Sequence, residues 1–169
     1  MVRGGTVLRI GVFSDTHGIL DNVPIALARM GKLDLLLHAG DCYGDLEQLK
    51  KMTNVPVEAV IGNCDMWCAG PREHIINLAG KKIFLVHGHQ YNIKSGLHKL
   101  YSHAEEIGVD VVVYGHTHQA ESLQYGSILM FNPGSISRPR NQDYPSYGLL
   151  EIVEGRLVNR IYYIEYGLG

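Results

Sequence analysis

Five short polar islands, each following an apolar run, carry most of the chemistry this 169-residue chain offers: Asp15-Thr-His17, Gly40-Asp41, Gly62-Asn63-Cys64-Asp65, His87-Gly-His89 and Gly115-His116-Thr-His118. Carboxylate, imidazole and amide oxygen are the donors taken by a pair of divalent cations that must hold water as well as protein. The chemistry implied is metal-assisted hydrolysis. Asp15 and His17, two residues apart where a strand opens into a loop, can face one cation. Asp41 follows a glycine that allows close backbone approach, and its two oxygens can bridge cations roughly 3.5 to 4 Å apart. Asn63 offers a neutral carbonyl oxygen. A neutral imidazole at His87, His116 or His118 can bind a metal through one nitrogen while an outer acceptor orients the other. Each island alone has a plainer reading, Asp15-Thr-His-Gly18 as a helix cap and Asn63 as a turn residue after Gly62. Five of them at strand ends outweigh it.

The elements that must position these residues are visible as apolar runs over Val7 to Ser14, Leu33 to His38, Val57 to Ile61, Lys82 to Val86 and Val109 to Tyr114. Their carboxyl ends are where open α/β sheets place ligands. Between the first two runs, Asp21-Asn-Val-Pro24 and Gly31 bracket a helix, and Leu46, Leu49 and Met52 repeat at helical spacing after Asp45. A hairpin is expected about Ala79-Gly80, and one helix from about Ile93 to Ile107, stopped by Gly108. Later strands should turn at Gly126 and at Glu154-Gly155. Alternating strand and helix argue for βαβ units in an α/β fold, and with no repeat or linker visible the whole of 1–169 is read as one domain.

The order and wording of the islands resemble the calcineurin-like metallophosphoesterase superfamily, whose pattern is Asp-x-His, Gly-Asp, Gly-Asn-His-Asp/Glu, a His and Gly-His-x-His. Asn132-Pro-Gly-Ser135, His87-Gly-His-Gln90 and the short length are similar to its small YfcE-like phosphodiesterase branch, related in fold to the retromer subunit Vps29. The resemblance implies a four-layer α/β/β/α sandwich of two mixed sheets flanked by helices. It also implies a first metal on Asp15, His17, Asp41 and His118 and a second on Asp41, Asn63, His87 and His116, with Asp41 as the bridge. Mn is the preferred metal, with Ni, Fe or Zn as alternatives. The expected reaction is hydrolysis of a small phosphodiester by a hydroxide held between the cations. A phosphomonoester substrate and a non-catalytic scaffold are the rival readings.

Asn63, Cys64, Asp65 and His89 are the further catalytic candidates. Cys64 departs from the superfamily pattern, which has a histidine there, so general-acid help from that position is in question. Cys64 and Cys68 alone are too few for a four-coordinate zinc site. His38 and His89 are read as hydrogen-bonding to ligands, and His74, His98 and His103 as structural or surface groups. Tyr91, His89 and the segment from Ser135 to Tyr147 are expected to wall the pocket.

A net charge of -2 gives no basic footprint for nucleic acid, and Arg138-Pro-Arg140 reads instead as a solvated loop or a local phosphate clamp. No run approaches the length of a membrane span, Met1 to Gly5 leads into no leader-like segment, and three cysteines make no disulfide framework. A cytoplasmic protein is expected, with no membrane partner and with homo-oligomerisation left open.

Overall fold

The computed structural model describes residues 7–141 and 144–166, so the amino-terminal stretch read for a leader lies outside the described residues. Strand β1 (Val7–Phe13), helix α1 (Val23–Met30), β2 (Leu35–His38), α2 (Leu46–Met52) and β3 (Val57–Ala59) alternate along the chain. Then follow β4 (Glu73–Leu78), β5 (Lys81–Val86), α3 (His98–Ile107), β6 (Val111–Val113), β7 (Ala120–Tyr125), β8 (Ile128–Pro133), β9 (Ser146–Val153) and β10 (Arg156–Tyr163).

The strands form two five-stranded sheets, ordered β10-β9-β1-β2-β3 and β4-β5-β6-β8-β7. β1, β2 and β3 run parallel in one, and β5, β6 and β8 run parallel in the other. Antiparallel strands close the flanks, which makes both sheets mixed.

Side chains of a strand alternate between faces, and here both faces are covered. Ile10, Val12, Leu35 and Leu37 of the first sheet meet Ile83, Leu85, Val111 and Phe131 of the second in one apolar layer. The intervening Phe13 and Leu36 point the other way, onto Val23, Ala26 and Met30 of α1 and Leu49 of α2. On the far side Phe84, Val112 and Met130 meet Leu100 and Ala104 of α3. The result is the expected four-layer sandwich. Gly148 keeps the sheets close, because a Cβ there would lie 2.4 Å from the Phe131 ring.

Two local expectations are corrected. The helix anticipated from Ile93 is broken: Ile93–Ser95 make one tight turn, Gly96 takes φ 133°, and α3 starts at His98. A backbone torsion that favours glycine ends the first turn before the helix can propagate. α1 has its early proline and terminal Gly31, yet no side chain caps its start. Asn22 instead donates to the Ile136 carbonyl at 3.0 Å and accepts from the Tyr166 hydroxyl at 3.0 Å, tying the helix to the carboxyl-terminal segment.

Candidate metal centre

Of the parallel strands, β1, β2, β3, β5 and β6 each lead into one of the polar islands, three from one sheet and two from the other. The turns at these ends are tight. Asp15, His17, Asp41, His116 and His118 all have positive φ, between 48° and 67°, a region costly for residues with a Cβ and concentrated at functional sites. Glycines let the loops touch: a Cβ on Gly62 would sit 2.0 Å from Asp41 Oδ1, and one on Gly115 2.0 Å from Ser14 Oγ.

Asp15, His17, Asp41 and His118 each offer one donor atom within 4.8 Å of all the others, and so do Asp41, His87 and His116. Asp41 belongs to both groups. Its Oδ2 lies 3.7 Å from His17 Nε2 and 3.4 Å from His87 Nε2, and Asn63 Oδ1 approaches His87 Nε2 at 3.1 Å. The structure thus brings together all seven residues that the resemblance assigned to metals.

The outer hydrogen bonds decide which imidazole nitrogen faces inward. His118 Nδ1 is 2.6 Å from the Arg138 carbonyl and His87 Nδ1 is 2.7 Å from the Ala39 carbonyl. A carbonyl only accepts, so in the neutral ring the proton sits on Nδ1 and a bare Nε2 lone pair points into the cluster. His118 Nε2 lies 3.2 Å from Asp15 Oδ1, a fully buried oxygen with no hydrogen-bond donor. Two acceptors facing each other away from water repel unless a positive charge lies between them. A divalent cation fits that demand.

The electrostatics agree. Burial would raise the Asp41 carboxyl, but His87 and the Cys64 backbone N–H hold it well below the usual range. Asp15 is likewise kept low against burial, by His118 and His87. Burial opposes charge on His87 and His118 too, and the facing carboxylates win and push both up. His116 falls to about 4, through burial and the neighbouring His87.

Around the cluster lies a second set of contacts, much of it invisible as a sequence motif. His38 Nδ1 accepts from the Gly40 N–H, so its Nε2–H faces Thr16 Oγ1 at 3.1 Å, and Thr16 donates to Asp45 Oδ2 at 2.5 Å. Asn132 donates to the Gly115 carbonyl and to Thr117 Oγ1, each at 3.0 Å, bracing the loop of His116 and His118. Ser135 and Ser137 donate to the Asp15 carbonyl. The Asn132-Pro-Gly-Ser135 stretch therefore splints two ligand loops at once.

Three candidates fall differently from the ligands. Asp65 accepts the Tyr43 N–H at 2.7 Å and the Gly62 N–H at 2.8 Å, so its buried carboxylate staples the loop and does not line the cleft. His89 lies tilted against His87 and edge-on to His116, with ring centroids 5.5 and 6.2 Å away, and also stays off the cleft wall. Cys64 does line the cleft; its N–H donates to Asp41 Oδ1 at 3.0 Å, and burial together with Asp41 pushes the thiol up to about 11.

The cleft itself is about 280 Å³ and is walled by Arg138, Pro139, Arg140 and Lys94. Tyr91, expected in that wall, donates to Glu73 Oε1 at 2.6 Å instead. Of the segment 135–147, residues 142 and 143 lie outside the described residues. Lys94 carried no signal in the sequence, since it sits in the turn that reads as helix.

Residues 8–155 match the model of the calcineurin-like phosphoesterase superfamily domain. The chain is 35% identical over 156 residues to the probable metallophosphoesterase YsnB of Bacillus subtilis, covering 92% of this chain and 90% of that protein. It is 36% identical over 104 residues to the phosphodiesterase YfcE of Escherichia coli, 56% of this chain and 52% of that one. A solved structure of a conserved, predicted phosphoesterase from Streptococcus pneumoniae superposes with a TM-score of 0.79 at 31% identity, over 94% of this chain and 90% of its own. With its ligand loops in the family's order and a family match along most of its length, this chain belongs to the calcineurin-like phosphoesterase superfamily, as a metal-dependent phosphoesterase.

Proposed function

We propose that the protein is a phosphodiesterase with a dinuclear centre, Asp15, His17, Asp41 and His118 holding one divalent cation and Asp41, Asn63, His87 and His116 the other. The observation that carries this reading is Asp41, the single carboxylate common to both donor groups. When bound, such a pair neutralises phosphate oxygens and makes a hydroxide available at neutral pH to attack phosphorus, Mn suiting the mixed nitrogen and oxygen donors better than Mg.

The chain's own residues do the rest. Ala39 and Arg138 carbonyls keep the His87 and His118 protons outward, and Arg138 draws the phosphate in. Every imidazole that lines the cleft among the described residues belongs to a donor group, so none is free to protonate a departing alkoxide. The diester preference is supported by the likeness to YfcE, which is described as a phosphodiesterase. The full donor set favours an enzyme over a non-catalytic scaffold.

Elemental analysis of protein purified without added metal, beside parallel turnover of an aryl diester and an aryl monoester, tests the reading. Two metal equivalents per chain, falling to one or none in Asp41→Asn, and a faster diester are expected. A single equivalent in the parent protein refutes the dinuclear centre, and a faster monoester refutes the diester assignment.

A further inference from the structure

Lys94 and Arg140 belong to two walls at once. They line the cleft over the donor cluster and also a neighbouring pocket of about 380 Å³, with Ile93 and Leu97 on its apolar side and Thr117 and Gln119 among its polar groups. The two spaces share a boundary flanked by two cations. Among the described residues, neither cation is paired with a carboxylate. Glu121, the acid of the side pocket, accepts from the Tyr114 hydroxyl at 2.7 Å instead. The charge of Lys94 reaches His116 and that of Arg140 reaches His118, which places both cations beside the donor groups.

A phosphodiester carries one negative charge, and Arg138 already stands in the cleft to meet it. Two more cations at the boundary are surplus to that single charge, and unpaired charge held beside a cavity is what an anionic ligand neutralises. Cys64 lines the cleft but not the side pocket, so the two ester arms have different exits.

We propose that the substrate bears a second anionic group, phosphoryl or carboxylate, on the arm opposite the leaving group, that Lys94 and Arg140 seat this group, and that the arm continues into the side pocket. This inference rests on the phosphodiesterase reading above.

The test keeps p-nitrophenolate as leaving group and varies the other arm of the phosphate: methyl, butyl, 3-carboxypropyl and 3-phosphonopropyl, assayed with the full chain and added Mn²⁺. The charged arms should exceed butyl by about tenfold in kcat/KM, the scale of two partly exposed ion pairs. Lys94→Met should cut that ratio to about threefold, and Lys94→Met combined with Arg140→Met should bring it close to one. Leu97→Trp, which fills the apolar side of the pocket, should leave the methyl ester unchanged and remove the advantage of the longer charged arms. Equal rates for butyl and charged arms, or a preference undiminished by the double substitution and by Leu97→Trp, overturns the proposal and leaves only general attraction of anions to the cleft. Should the methyl ester not turn over at all, the phosphodiesterase reading itself fails. Calorimetric binding of 4-phosphonobutyrate against butylphosphonate then reads the anion seat directly: tighter binding that Lys94→Met weakens supports it, and equal affinity overturns it.

Discussion

Cys64 places a thiol at the cleft where the superfamily pattern has a histidine. With its pKa pushed up to about 11 by burial and Asp41, it stays protonated at neutral pH and parts with its proton poorly. The expected outcome is a steep dependence of rate on leaving-group acidity across substituted phenyl diesters. Cys64→His should flatten that slope, accelerating poor leaving groups by up to roughly 10² to 10⁴-fold if the imidazole reaches them. An unchanged slope with altered stability would mean that Cys64 only packs the loop. His38 gives a prediction about pH. It is buried, neutral and held between Gly40 and Thr16, with its pKa lowered to about 4 by burial. A depressed folded pKa means the unfolded chain binds the proton more readily, so the contribution is fully present above about pH 6.5 and is lost as pH falls toward 4. Urea titrations from pH 7 to 4 should lose up to about 3 kcal/mol through this group, and His38→Gln should remove that part of the slope.

Among the elements, the Asn132-Pro-Gly-Ser135 splint ties the end of β8 to the loops after β1 and β6. Asn132→Ala should leave the Gly134 N–H without its partner and take one of two donors from the Gly115 carbonyl, which keeps the Thr117 N–H, costing about 1 to 3 kcal/mol in chemical denaturation. Metal affinity should fall by roughly 10 to 100-fold, because the histidine loop loses its brace. Much of this layer was legible in the chain. Alternating apolar runs marked the strands, and Ala79-Gly80, Gly126 and Glu154-Gly155 marked turns whose positive φ values the structure shows. What escaped were features set by distant residues. That β9 pairs with β1 follows from packing across most of the chain, and no local pattern encodes it. The chain of contacts from His38 through Thr16 to Asp45 depends on how β2 lies beside β1, and Lys94 could be found only once the turn before α3 had been separated from the helix. The ligand islands themselves were readable because glycine and chemistry-bearing residue types coincide at strand ends.

For the molecule as a whole, the decisive circumstance is that the donor set straddles the two sheets. Asp15, His17, Asp41 and Asn63 follow strands of one sheet, whereas His87, His116 and His118 follow strands of the other. A bound cation therefore links the two halves of the sandwich as well as opposing the repulsion among buried acceptors. Calorimetry should show a single transition that rises with added Mn²⁺ and falls with chelator. At a metal concentration a hundred times Kd the gain is about 2.7 kcal/mol, equivalent to roughly 5 to 10 °C for a chain of this size. Asp41→Asn should abolish most of the shift. Two separate transitions in the metal-free protein would contradict the reading of 1–169 as one cooperative domain.

Five of the seven candidate donor residues hold left-handed backbone torsions that glycine adopts without the steric cost of a Cβ. Replacing Asp15, Asp41 or His116 by glycine would relieve local strain even as it removed a candidate metal ligand. Variants chosen only for resistance to heat in the absence of metal are therefore expected to drift toward inactivity at these positions. Selection for folding alone and selection for metal binding are therefore expected to favour different residues at these loop positions.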